Sequence, residues 1–220
     1  VLINAFAQLR NNIRNIKLLI VGEGSLYNDL LKLVNELGLT EFVTFTGFIS
    51  NNEVISTTDY VYSYGGGVYC GDNSTVTFTN CRFLNNTAQI HNRYSANGGG
   101  IYCANGSNVT LDNCVVSGNT GKVTSRHQAY GAGIFSAGSS LTITESDISN
   151  NILEATNSSN NYAYGAGIFC NASLTIDNSM INNNYFEGDD YWSTKICGGI
   201  YASSSVTMTD CTIDGNEYEG

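Results

Sequence analysis

At 220 residues the chain can hold one or two domains with a real core, and only 13% of its residues are charged. Its net charge of −10 is uneven, with 4 basic and 6 acidic residues in 1–63 and 5 and 13 in 64–220, and an acidic surface disfavours nucleic acid. Proline is absent, no apolar run approaches the roughly 20 residues of a bilayer span, and no leader pattern or zinc spacing is present, so no cofactor is expected.

In chain order, residues 1–63 read α-β-α-β-α-β. Leu2, Ile3, Phe6, Leu9 and Ile13 share one helical face. Leu18–Val21 is a continuous apolar run, the pattern of a strand covered on both sides. After the Gly22-Glu-Gly-Ser25 turn, Leu26, Leu30, Leu31, Val34 and Leu37 form a second helical stripe that ends at Gly38. Phe42–Thr46 is the next strand, Ser50 and Glu53 make a capping box for a short helix, and Tyr60–Ser63 is a last strand. This is half of a doubly wound domain.

The strings Leu2-Ile-Asn-Ala-Phe, Ile16-Lys-Leu-Leu-Ile-Val-Gly-Glu-Gly, Leu37-Gly-Leu and Val43-Thr-Phe-Thr-Gly-Phe-Ile-Ser resemble retaining glycosyltransferases built from two Rossmann-like domains. The part resembled is their nucleotide-sugar-binding half. The resemblance implies that Gly22, Glu23 and Gly24 at one turn, and Gly47 and Phe48 at another, lie beside the sugar nucleotide. Glycine there lets backbone approach a phosphate or base closely. The family continues after its counterpart of Asp59–Ser63 with a Pro-Ser turn and a Glu-containing loop that grips the donor. Here a different pattern begins, so the segment is expected to be a truncated remnant with vestigial binding residues and no catalytic residue.

From residue 64 onward the chain repeats. Val68, Ile101, Ile134, Ile168 and Ile200 recur at offsets of 33, 33, 34 and 32 residues. A fixed period in this range marks a stacked solenoid in which no single unit buries its own core. Val76, Val109, Leu141, Leu174 and Val206 form one column, and Phe78, Leu111, Ile143, Ile176 and Met208 another two residues on, hence on the same strand face. Phe83, Val116, Ile148, Ile181 and Ile213 form a third. Each copy therefore reads as three short strands separated by bends, and five coils at ~4.8 Å give a rod of roughly 24 Å. Asn86, Asn119, Asn151, Asn184 and Asn216 follow the last column by three residues. They are expected to take the left-handed conformation at a bend and to bond from coil to coil.

The strings Gly-Gly-Ile-Tyr, Leu-Thr-Ile and Ile-x-x-Asn, over about 155 residues, resemble the right-handed parallel β-helix repeats of polymorphic outer-membrane and adhesin-like microbial surface proteins. The expected fold is mostly β: a right-handed parallel β-helix of about five coils over 64–220, preceded by a truncated Rossmann-like segment over 1–63. Because the chain opens on Val and stops within a repeat, it reads as a fragment with further coils to follow.

Cys70 and Cys103 share a column with Ser136, Cys170 and Ala202, and Cys81 and Cys114 share one with Ser146, Ser179 and Cys211. Two readings stand: small buried filler, or disulfides between adjacent coils, whose spacing falls within the permitted range. Cys197 replaces the first Gly of its coil. Six glycosylation acceptors, Asn73, Asn85, Asn105, Asn108, Asn157 and Asn171, all lie in the repeats, either by chance composition or as marks of a secreted rod. His91 and His127 read as solvated loop residues, Asp112, Asp177 and Asp210 as an outward polar face, and the Asp189-Asp190 doublet alone is weak evidence for calcium. No cluster of acids with a basic partner recurs on one face, as sugar cleavage needs.

The column Tyr69, Tyr102, Phe135, Phe169 and Tyr201 should face outward, either as an exposed stripe that stacks on sugar rings or beneath covering loops. Those loops, 87–97, 120–130, 152–164 and 185–197, carry Tyr94, Tyr130, Tyr162, Tyr164, Tyr191 and Trp192 among small polar residues, the composition of adaptable binding surfaces. The function expected is that of a non-enzymatic, adhesin-like protein, extracellular or on a cell surface, binding glycans or surface proteins through these loops. Two alternatives stand beside it: a nucleotide-sugar-dependent glycosyltransferase of which a donor-domain fragment is present, and a carbohydrate-active β-helix enzyme with its site elsewhere.

Overall fold

A computed structural model describes residues 2–13, 16–21, 26–47, 49–57, 62–91, 94–124, 128–138, 140–155, 162–188 and 194–219. The chain divides into two compact units, Val1–Phe48 and Ile49–Gly220.

The first unit holds α1 (Leu2–Arg10), β1 (Leu18–Val21), α2 (Tyr27–Glu36) and β2 (Val43–Gly47). The two strands pair in parallel, Leu18 opposite Val43, with a register shift between Ile20 and Val21. Ile3, Phe6, Val34, Leu39 and Val43 make the core. α2 closes with the Gly38 N–H donating to the Asn35 carbonyl and the Leu39 N–H to the Val34 carbonyl, the paired bonds of a Schellman ending. The buried helical stripes are narrower than expected: Leu2, Leu9, Ile13, Leu26, Leu31 and Leu37 are exposed. A sheet of two strands offers too little surface to cover a full stripe of both helices.

The capped helix expected at Ser50–Glu53 does not form. Ile49–Ser50 and Glu53–Ser56 are strands of the second unit, paired in parallel with Arg82–Leu84 and Thr87–Ile90. Asn51 between them has φ +55, and helical dihedrals cannot propagate through a left-handed residue.

The second unit is a parallel β-solenoid of about 4 turns, close to the five coils counted in the sequence. One coil runs Ser95–Asn97, Ile101–Cys103, Asn108–Asp112, Val115–Ser117 and Thr120–Val123, five short strands rather than three. Each pairs in register with its counterparts before and after, as Ile101 with Val68 and Ile134, and Leu111 with Phe78 and Ile143. Three ladders hold five strands and two hold six. The predicted columns fill the interior: Ile101, Ile134, Ile168, Leu111, Ile143, Ile176, Val116, Ile148 and Ile181 are fully buried. Like-on-like stacking follows from parallel in-register pairing, which sets each side chain over its copy one coil away.

The segments 87–97, 120–130, 152–164 and 185–197, expected to be loops, begin and end as strands. Together these form two more ladders with their own core of Ile90, Val123, Leu153 and Phe186 against Ala96, Ala129 and Ala163. Many of the inward positions are Ala or Gly, so the apolar alternation of a strand is faint in the sequence.

The asparagine column forms the expected ladder, fully buried from Asn86 to Asn184. Asn151 Nδ2 donates to Asn184 Oδ1 at 2.8 Å and to the Val116 carbonyl at 2.9 Å. Its Oδ1 accepts from the Asn119 backbone N–H and Nδ2 at 3.0 and 2.9 Å. The pattern recurs at Asn119, Asn86 and Asn184, and Asn52 adds a rung by donating to Asn86 Oδ1. The left-handed residues are the preceding ones, Asn51, Asn85, Gly118, Asn150, Asn183 and Gly215, and not the ladder asparagines themselves. That bend turns the following side chain inward, where its amide finds backbone and amide partners instead of water.

Candidate functional site

The outward column on the Val68–Cys70 ladder is a continuous pile of rings. Centroids are 5.1 Å apart for Tyr69–Tyr102, 5.0 Å for Tyr102–Phe135, 5.0 Å for Phe135–Phe169 and 5.1 Å for Phe169–Tyr201, with interplanar angles of 5° to 13°. The spacing is that of neighbouring strands, so the backbone ladder imposes the stack.

A second row lies beside it. Tyr64, Tyr130 and Tyr164 come from the ladder that precedes each Gly-x-Gly bend, and they pack on the first row: Tyr64–Tyr102 at 4.4 Å, Tyr130–Phe169 at 4.8 Å and Tyr164–Tyr201 at 5.0 Å. Tyr62 stacks on Tyr64 at 5.3 Å and on Tyr94 at 4.7 Å, and Tyr162 lies 6.4 Å from Tyr164. The cover expected from loops is thus supplied by neighbouring rings. Tyr102 and Phe135 are buried, while Tyr69, Tyr62 and Tyr162 remain 52%, 43% and 39% exposed.

Burial sets the state of the phenols. It is the largest cause raising Tyr130 to about 12, helped by the neighbouring Tyr164, Tyr201 and Tyr162 hydroxyls. Burial likewise raises Tyr64, Tyr102 and Tyr164. All four are neutral at physiological pH, where a phenol both donates and accepts. Tyr130 donates to Gln128 Oε1 at 2.5 Å. The wall offers ring edges, hydroxyls and a few open ring faces, held rigid by stacking.

Of the residues expected to bind through loops, Tyr130, Tyr162 and Tyr164 stand on strands Gln128–Tyr130 and Tyr162–Tyr164, and Tyr94 directly precedes strand Ser95–Asn97. Tyr191 and Trp192 lie outside the described residues, as do Asp189, Asp190 and His127. So do Gly22, Glu23, Gly24 and Phe48; Gly47 lies on β2 opposite Val21. His91 is exposed and hydrogen-bonded to Gln89 and Thr124. Asp112 and Asp177 occupy an outward column that alternates with Thr79, Thr144 and Thr209, while Asp210 sits at a bend with φ +49. Among the described residues no group of three or more His, Cys, Asp or Glu is placed to hold a metal. Tyr130 and Tyr164 are among the residues expected from the sequence, whereas Tyr64 and the alignment of the three as a row are not, although each stands directly before a left-handed glycine, Gly65, Gly131 or Gly165.

Parallel ladders in register, inward aliphatic columns and a buried asparagine ladder define a parallel β-helix. The family model for right handed beta helix regions matches residues 38–148, and the chain belongs to that family. A second model, glycosyl transferases group 1, matches residues 1–60, so the first unit is similar to part of those enzymes. The two matches overlap over 38–60, and the division between Phe48 and Ile49 falls inside the overlap. No curated protein and no solved structure matches the chain.

Proposed function

We propose that the β-helix is a non-enzymatic, adhesin-like protein of the cell surface or extracellular space, and that its tyrosine wall contacts glycans or surface proteins. The observation that carries this reading is the two-row wall: large amphipathic rings already immobilised by one another lose little entropy on binding. The stacked rings cover most of each other's faces, so contact falls to the exposed Tyr62, Tyr69 and Tyr162 and to phenol hydroxyls. An extracellular setting is supported by the acceptor asparagines, since Asn73, Asn85, Asn105, Asn108 and Asn171 are all exposed while Asn157 lies outside the described residues.

Binding to a glycan array and to intact cells, measured beside thermal melting, tests this reading. Tyr69→Ala with Tyr162→Ala should weaken binding by roughly tenfold or more with little change in Tm, because both rings are substantially exposed. Phe135→Ala should do the reverse at first order, costing about 3 kcal/mol of stability through the gap left in the stack. Unchanged binding by the double variant at full stability would remove the wall from the function.

The glycosyltransferase match favours a second reading, in which a nucleotide-sugar-dependent activity resides with the first unit. From Ser63 onward, where the resembled family places its donor-gripping loop, the chain runs in solenoid strands. Incubation with nucleotide sugars is therefore expected to yield no transfer or hydrolysis above a blank, and measurable turnover would favour the transferase.

A further inference from the structure

Four of the seven cysteines stand in two vertical pairs. Cys70 and Cys103 are register partners on adjacent parallel strands. Cys81 and Cys114 directly precede Arg82 and Val115, which are register partners on the next ladder but one. All four are buried. Neighbouring strands lie about 4.8 Å apart, inside the range of about 4.4–6.8 Å between Cα atoms that a disulfide spans. Within each pair the two thiols are hydrogen-bonded to one another.

The rest of each column limits the pairing. Ser136 stands over Cys103, and the Ser146 hydroxyl accepts from the Cys114 N–H at 2.9 Å, so no third sulfur stacks next. Cys170 lies between Ser136 and Ala202, and Ser179 occupies the place below Cys211. A small buried side chain is all the fold requires there, since serine serves one coil further on. What cysteine adds is sulfur above sulfur, and it does so twice between the same two coils.

We propose that Cys70–Cys103 and Cys81–Cys114 are cystine cross-link sites, two covalent staples fastening one pair of neighbouring coils through two different ladders. In each, a thiolate attacks a sulfur of a small disulfide such as oxidised glutathione, forming a mixed disulfide and releasing one glutathione thiolate. The partner thiolate then attacks the protein sulfur of that mixed disulfide and releases the second. Each staple consumes one oxidised glutathione, yields two reduced ones and removes two hydrogens from the protein. The neighbouring thiol lowers Cys70, and lowers Cys114 to about 7, while Cys103 and Cys81 are raised by their partner thiols and by burial. One member of each pair is thus the better attacking thiolate. Because all four sulfurs are buried, closure accompanies folding, while the coils are still open to a disulfide donor.

The test refolds the full chain from denaturant, either with a mixture of oxidised and reduced glutathione or with excess reductant. The folded fraction is then alkylated under denaturing conditions and its peptides mapped by mass. The expected result is three alkylated cysteines of the seven, namely Cys170, Cys197 and Cys211, with Cys70 joined to Cys103 and Cys81 to Cys114. The stapled chain should also have a higher urea midpoint than the reduced one, because each bridge restricts the unfolded chain. Cys103→Ser and Cys114→Ser should each abolish one bridge and leave the other, on a fold that already accepts serine in both columns. Seven alkylated cysteines, a single bridge in the wild-type chain, a bridge to Cys170, Cys197 or Cys211, or no gain in midpoint would each overturn the proposal.

Discussion

Asn151→Leu should lower the stability of the β-helix by about 4 kcal/mol, a large loss for a change that nearly conserves volume. Asn151 is fully buried, so nothing replaces the bonds it makes. Its loss takes the donor from the Val116 carbonyl and from Asn184 Oδ1, and the acceptor from the Asn119 N–H and Nδ2. Some of these retain a partner: Asn119 Nδ2 still reaches the Phe83 carbonyl at 2.9 Å, and Asn184 Oδ1 still accepts from the residue-151 backbone at 3.1 Å. The Asn119 N–H loses its acceptor outright, whereas the Val116 carbonyl keeps its place in the strand ladder beside Ser149; the buried orphan costs about 1–3 kcal/mol and each further lost bond about 1 kcal/mol. In a chain of this size that corresponds to a fall in Tm of about 10 °C. Asn151→Asp separates hydrogen bonding from size, since it keeps the shape and deletes both donors; it should fail as badly as leucine. A leucine variant that melts within 2 °C or so of the parent would show that the ladder is tolerated rather than required.

The repeat was legible because its inward residues are large. Leu111, Ile143 and Ile176 stand two residues from Val109, Leu141 and Leu174, and that spacing alone assigns face and strand. The two ladders built on Ala88, Gly121, Ala96, Ala129 and Ala163 were not legible, because small residues bury without marking a period. The left-handed position was misplaced by one for a definite reason. Asn85-Asn86, Asn150-Asn151 and Asn183-Asn184 are doublets, and either member suits a bend. Gly118-Asn119 and Gly215-Asn216 resolve the ambiguity, since glycine is the residue a positive φ selects.

The same doublet explains the helix that did not form. Ile49-Ser-Asn-Asn52 repeats Ile148-Ser-Asn-Asn151 residue for residue, so a local capping pattern and a solenoid bend competed for one segment. The bend won because it completes two ladders and a rung of the asparagine stack, whereas an isolated short helix has no face to bury. Ile49 and Ser50 thereby belong both to the string that resembles glycosyltransferases and to the first strand of the β-helix. The aromatic wall was half legible. The first row follows an inward column by one residue, but that its rings would cover one another depends on in-register pairing, which spacing implies only once the ladders are in place.

Gly133→Ala should cost about 3 kcal/mol, although it adds a single methyl group. The middle residue of the bend already varies within the chain, being Gly66, Gly99 and Gly198 in three coils and Ala132 and Ala166 in the other two. The next position does not vary: it is Gly67, Gly100, Gly133, Gly167 and Gly199 in all five. The reason lies across the tube. A Cβ at Gly133 would stand 2.6 Å from the Gly167 carbonyl oxygen and 2.9 Å from Asn151 Nδ2, closer than carbon approaches either atom. Neither can yield cheaply, because the carbonyl is in the backbone bend of the next coil and the amide is held by two bonds of the asparagine ladder. The methyl must therefore spread adjacent coils or break a rung, so its cost should overlap with that of Asn151→Leu. The double variant tests this directly: a combined loss clearly smaller than the sum of the singles means the glycine column exists to seat the ladder. Gly71→Ala is the control, since a Cβ there meets nothing within 4 Å and should leave the urea midpoint unchanged. Equal losses at Gly71 and Gly133 would overturn the steric account, since the lower chain entropy of alanine by itself stabilises the fold, and strict additivity with Asn151→Leu would separate the two columns.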